Sequence, residues 1–261
     1  MRRFKNESGF FIRAIILSIL LLPNAAAAED GGSAGRCLCN DLKGNKRWEA
    51  AVTIKPMEEK NMHVYIEEGS GVHSGFDGQV RWKTEAEFIA DANNIIPMRM
   101  KKTFVSPAGA VLFEGLQEFD RAKGEVTCIK RWPASGKVVR KTLRYKGDVV
   151  NDCLLGLYTQ RYLKNGERKK TYYLVTNDPN IYKITARFES EEAIPINGKA
   201  INSYKIHLKP DAGILGIFAG LLPQTYIWHR AGGNFDWLKY KGAEDTLNSP
   251  EVEMETLDNI D

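Results

Sequence analysis

Residues 194–242 read IPINGKAINSYKIHLKPDAGILGIFAGLLPQTYIWHRAGGNFDWLKYKG. Within them Tyr204, Ile206 and Leu208 alternate with Ser203, Lys205, His207 and Lys209. A period of two with one apolar side predicts a strand that buries one face and wets the other. Strands are expected at about 199–210, 223–230 and 235–242. The first two are joined by an apolar connection, Gly213 to Leu222, and the last two by an Ala-Gly-Gly-Asn turn.

The same alternation runs upstream. Val80, Trp82, Thr84, Ala86 and Phe88 oppose Arg81, Lys83, Glu85 and Glu87. Tyr182, Ile184, Ala186 and Phe188 oppose Lys183, Thr185, Arg187 and Glu189. Further strands are expected at 95–105, 110–121, 125–132, 136–146, 168–176 and 250–257, and two short ones within 48–68. Gly69 to Gly78 carries four glycines and reads as a loop. One segment breaks the period. In residues 148–163 Val150, Cys153, Leu154, Leu157, Tyr158 and Tyr162 recur at spacings of three and four, which predicts an amphipathic helix capped by Asp148 and ended by Asn165-Gly166. The fold class is therefore mainly β: a curved antiparallel meander, half-barrel or open barrel, with one amphipathic helix packed on it. The acidic end of the chain, from Glu244, suits a final edge strand.

The first 28 residues read as a signal peptide. A basic start (Arg2, Arg3, Lys5, Arg13) precedes an apolar run from Ala14 to Leu22, Pro23, and small residues to Ala28. Residues 29–75 read as an N-terminal extension with short strands, and 76–261 as the β-rich domain. An exported, periplasmic location is expected. The leader holds four basic and one acidic side chains, leaving 33 basic against 32 acidic in the rest. The pI of 8.7 largely reports the leader, so net charge gives no support to a nucleic-acid partner.

Four cysteines in an exported chain allow two disulfides. Cys128 with Cys153 is the expected pair, closing a loop worth about 3 kcal/mol. Cys37 and Cys39 read as structural or reduced. The four histidines, His63, His73, His207 and His229, lack metal-ligand spacing, so neither metal nor cofactor is implied. No nucleophile elbow, phosphate loop or zinc-protease motif is found. The basic cluster Arg161, Lys164, Arg168, Lys169 and Lys170 reads as a solvated hairpin, or as a contact for anionic headgroups at a membrane surface.

Asn94-Ile95-Ile96-Pro97, Phe119-Asp120, the segment DCLLGLYTQR from Asp152, Asn197-Gly198-Lys199 and the closing IW…WLKYKG resemble the exported bacterial family called domain of unknown function 3108. The resemblance covers residues 75–257. It implies a β-rich periplasmic domain with no assigned activity, and a shape similar to the half-barrels of lipoprotein carriers.

These readings point to a non-enzymatic periplasmic carrier of an apolar, lipid-like envelope ligand. Its lining is expected from Trp82, Phe88, Phe113, Phe188, Tyr204, Trp228 and Trp237. Ile214, Leu215 and Phe218 are expected either to fold back and close an open end of the sheet, or to form a lid or a membrane contact. Two alternatives stand beside it. One is a structural module whose edge strands bind an envelope protein. The other is an envelope hydrolase built on His229 with Asp236.

Overall fold

A computed structural model describes residues 33–91, 93–211, 224–244 and 249–258. The expected leader and the lid residues Ile214, Leu215 and Phe218 lie outside the described residues. Fifteen strands form one sheet. In chain order they are β1 (Ser33–Asp41), β2 (Lys46–Pro56), β3 (Met62–Val72), β4 (Gln79–Ala90), β5 (Ile95–Val105), β6 (Val111–Asp120), β7 (Glu125–Trp132) and β8 (Lys137–Arg144). Then come β9 (Val149–Asn151), the helix α1 (Leu155–Lys164), β10 (Lys169–Val175), β11 (Ile181–Ile196), β12 (Lys199–Pro210), β13 (Thr225–Arg230), β14 (Trp237–Ala243) and β15 (Glu251–Thr256).

Every pairing is antiparallel except the short β9–β10 ladder. The first and last strands meet in the middle, with Cys39 opposite Met254. The chain meanders outward from β1 to β8, crosses to the far edge at β9, and meanders back to β15. Residues 33–75 thus supply three central strands of the same sheet, and β1 begins upstream of the short strands expected within 48–68. Cys37 and Cys39 face inward on β1, both fully buried, which seals that strand into the core.

The sheet rolls up as a spiral. On β10, Tyr172 and Leu174 face the main core. The opposite face turns Val175 and Tyr173 toward Phe119, Val126, Cys128 and Leu143 of β6, β7 and β8. These three strands therefore overlap β9 and β10 from outside. Side chains fasten the overlap: Gln117 Nε2 donates to the Thr176 carbonyl at 3.1 Å, and Lys141 Nζ to Asn180 Oδ1 at 3.1 Å. Lys130 reaches Asp178 at 3.4 Å.

The helix lies inside the roll. Only Arg161 and Lys164 escape burial, so the helix is enclosed nearly all round. It begins later than the sequence predicts. Val149–Asn151 is taken by the sheet edge, and a 3-10 turn over Asp152–Leu154 is capped by Asn151, whose side chain accepts from Leu154 N–H. Asp148 instead accepts a bond from the Tyr158 hydroxyl at 3.0 Å. Among the described residues no helix is long and apolar enough to cross a membrane.

The expected loop from Gly69 is also revised, because β3 continues to Val72. Gly69 pairs with Trp82 and Gly71 with Trp48. A Cβ at Gly69 would overlap the Trp82 indole, and one at Gly71 would overlap Trp48 and the Arg47 carbonyl. Here the glycines make room for rings and do not mark a turn. All four cysteines are free thiols, so the expected bridge between Cys128 and Cys153 is not formed. The two sit in different clusters: Cys153 in the main core, and Cys128 under the overlap. Burial raises all four thiol pKa values, Cys128 to about 12, so none is poised as a thiolate.

Candidate functional site

Two neighbouring rows of side chains cross the inner face of β3 to β7. In the first, Gly69 opposes Trp82 and Trp82 opposes Phe104. Phe104 opposes Phe113, whose ring meets that of Trp132. Ring centroids step along it at 5.8 Å from Trp82 to Phe104, 6.1 Å to Phe113 and 5.5 Å to Trp132. Trp48 joins at the inner end, 5.4 Å from Trp82. Trp48 and Trp82 are buried, whereas Trp132 is only half-buried, so the row rises from the core to the surface. Cross-strand aromatic pairs of this kind contribute about 0.5–1.5 kcal/mol each beyond their buried area.

The second row runs one pleat along. Glu67 opposes Thr84, Thr84 opposes Lys102, Lys102 opposes Gly115, and Gly115 opposes Lys130. Glu67 is fully buried. Its carboxylate accepts from the Tyr65 hydroxyl at 3.0 Å and from Trp82 Nε1–H. Gly69 is what lets the indole lie flat enough to reach it. Burial raises the Glu67 pKa, while Lys102 and the two hydrogen bonds pull it back.

Lys102 is only 3 % exposed, and among the described residues it forms no ion pair or hydrogen bond. Its Nζ lies 5.2 Å from the Phe104 ring centre. A cation–π contact returns about 0.5–2 kcal/mol, against several kcal/mol for desolvating an ammonium. Beside Lys102 the Thr84 hydroxyl is buried with no partner. Lys130 leans the same way, 5.5 Å from the Phe113 ring and 5.2 Å from that of Trp132. Exposed Lys137 lies 5.0 Å from the other side of the Trp132 contact, at the surface end.

The connection 73–78 covers the row at Trp82 and Phe104. Glu244, 1 % exposed, holds it by accepting from Ser74 N–H at 2.9 Å. The same carboxylate takes Trp48 Nε1–H at 2.7 Å and a two-pronged bond from Arg47 at 2.9 and 2.8 Å. His73 packs 4.9 Å from Phe104 and 5.7 Å from Trp82. Burial, then the nearby charges of Lys102 and Arg47, hold its imidazole well below the usual range.

The other side of the roll is arranged differently. His229, fully buried, bonds Thr159 Oγ1 through Nε2 at 2.8 Å and the Phe235 carbonyl through Nδ1 at 2.8 Å. Burial pushes its pKa down to about 4, so the ring is neutral. Nδ1 then carries the proton given to Phe235, and Nε2 accepts from Thr159. Nε2 ties β13 to α1 and Nδ1 ties it to the turn before β14, which leaves neither for the expected dyad with Asp236. Gln160 Nε2 adds a bond to the Asn234 carbonyl at 2.8 Å.

The expected lining residues divide accordingly. Trp82 and Phe113 belong to the aromatic row. Phe88 is buried near the far end, stacked 5.5 Å from His63. Phe188 and Tyr204 form a separate pair under the Arg168 guanidinium, 4.2 Å from the Phe188 ring. Trp237 is buried in the main core with its indole N–H unpartnered. Trp228 lies in an outer cluster with Ile194, Ile196 and Leu238, and its N–H donates to Glu192 at 2.7 Å. It does not share the interior. Of the basic cluster after the helix, Lys170 is held by Asp148 and Glu167, both at 3.3 Å.

The sequence reading missed Phe104, Trp132, Lys102 and Lys130. The signal was present: Lys102 shares strand parity with Met100 and Phe104. A lysine in phase with the apolar face marks an inward cation.

No family model matches the chain, so the resemblance to domain of unknown function 3108 gains no support, and no curated protein matches it. Three solved structures are similar in outline. A Brucella abortus β-barrel-like protein of domain of unknown function 1849 is 9 % identical, with a TM-score of 0.46 over 88 % of this chain and 97 % of that one. A Bacteroides fragilis protein described as exported, with a YmcC-like fold, is 7 % identical, with a TM-score of 0.34 over 93 % of this chain and 97 % of that one. A Parabacteroides distasonis chain described as a lipoprotein is 8 % identical, with a TM-score of 0.28 over 93 % and 97 %. None of the three carries a function over to this chain.

Proposed function

We propose that this protein is a non-catalytic binding protein of the cell envelope that holds an apolar, lipid-like ligand against the inner aromatic row. The observation that carries the reading is the graded row itself. Rings run without a break from buried Trp48 and Trp82 to half-buried Trp132 at the edge of the spiral. A close-packed core needs no such path to the surface, whereas an apolar guest needs both a lining and a way in. The basic and apolar start of the chain supports export.

The test is native mass spectrometry of the mature protein purified from periplasm, followed by organic extraction. The reading expects a lipid-sized mass that is lost from Trp132→Ala with Phe113→Ala. A bare polypeptide mass, together with no uptake of long-chain amphiphiles added later, would overturn it.

A further inference from the structure

We propose that the ligand carries an anionic group, a carboxylate or a phosphate monoester, and that Lys102, Thr84 and Lys130 receive it over Gly115. This rests on the binding reading above and deepens it. Lys102 is 3 % exposed and has no ion pair among the described residues. Directly across from it the buried Thr84 hydroxyl has no partner. Buried polar groups are normally satisfied, and an exception beside a cation without a counter-ion calls for a missing partner.

That partner is an anion for three reasons. Lys102 can only donate, and a hydroxyl can turn its proton toward an oxygen. Gly115 separates Lys102 from Lys130 and brings no side chain of its own, so only the edge of the Phe113 ring lies against the surface between the two lysines. Their backbones stand roughly 10 Å apart across one intervening strand, a span that two flexible lysine stems can close on a single oxyanion. Glu67 at the end of the row does not fill this role. Its oxygens are taken by Tyr65 and Trp82, and no ion pair links it to Lys102.

Lys130 is the outer half of the receptor. Its bond to Asp178 is long at 3.4 Å, and its ammonium already lies over the rings of Phe113 and Trp132. Lys137 and Trp132 then form the rim. An amphiphile entering there would lay its chain along the rings while its head passes from Lys130 inward to Lys102.

Three probes separate this inference from the reading beneath it. Oleate supplies chain and carboxylate, oleyl alcohol supplies the chain alone, and inorganic phosphate supplies the anion alone. Each is titrated by calorimetry into the delipidated mature protein and into Lys102→Met, with thermal unfolding of both as the check on folding. Lys102→Met is expected to weaken oleate on the order of tenfold or more, to leave oleyl alcohol nearly unchanged, and to melt no lower than wild type. Phosphate that binds wild type but not Lys102→Met, with no response to either amphiphile, would keep the anion receptor and defeat the apolar reading. Oleate and oleyl alcohol binding equally well, with both indifferent to Lys102→Met, would defeat the anion receptor and keep the apolar reading. If none of the three binds, both fall.

Discussion

The two halves of the interior each hold a buried basic side chain, in different ways. Around α1 and β13 the buried histidine is consumed by the fold, with both ring nitrogens bonded and the ring neutral. Across β3 to β7 the Lys102 ammonium has no ion pair among the described residues, and the Thr84 hydroxyl beside it has no partner. The first half behaves as scaffold: its polar groups fix where the helix sits. The second has its outer end at the surface, and in the proposed function its rings and charges are the groups that meet the ligand. Stability and binding should therefore separate by region, and mutations can test that separation.

The largest effect on stability is expected from Glu67→Leu. It strands the Tyr65 hydroxyl and the Trp82 indole N–H, and removes the buried carboxylate that Lys102 helps to keep charged. Removing one partner from a buried charged network costs about 3–5 kcal/mol, readable as a fall in the urea midpoint at unchanged slope. This would also show that even the binding half keeps one structural acid.

The scaffold half should announce itself through pH. The His229 pKa lies at about 4 in the folded protein, against about 6.5 when unfolded. A folded pKa below the unfolded one means the unfolded chain takes up the proton first. Stability is then complete above about pH 6.5 and is lost as pH falls toward 4, by about 3 kcal/mol in all. Subtracting the pH profile of His229→Gln from that of wild type isolates this part from the carboxylates. A flat difference would show that the histidine is not held neutral.

A smaller loss is expected from Gly69→Ala, of about 1–3 kcal/mol. The added methyl displaces the Trp82 indole and with it the bond to Glu67. Loss of that bond is detectable as a shift in tryptophan emission. Smallest is Lys102→Met in ligand-free protein, which should be neutral or stabilising by about 1 kcal/mol, because a buried charge with no ion pair among the described residues is replaced by an apolar stem. A clear destabilisation would mean the charge serves the scaffold after all.

Much of this architecture was legible from the alternation of residues. The inward sets of β4, β11 and β12 face the core as read, because a half-wet sheet writes its period directly into the sequence. The curl was legible in the long meander, but the overlap of β6, β7 and β8 on β10 was not, since it depends on long-range side-chain packing and gives no local period. Gly69 and Gly71 misled as turn signals, since one sequence cannot distinguish a glycine that bends the chain from one that a ring covers. Trp228 misled by its type: its parity opposes that of buried His229, and parity was the better guide. The site itself was half-visible, in Trp82 and Phe113. Its lysines were hidden by the habit of reading lysine as surface.

The most direct test of the central claim places the guest by tryptophan fluorescence. A dibrominated stearic acid quenches only indoles that it approaches closely. The account predicts saturable quenching that drops sharply in Trp132→Phe and stays unchanged in Trp228→Phe, whose ring is in the outer cluster. Quenching that survives Trp132→Phe but disappears with Trp228→Phe, or that never saturates, would contradict it.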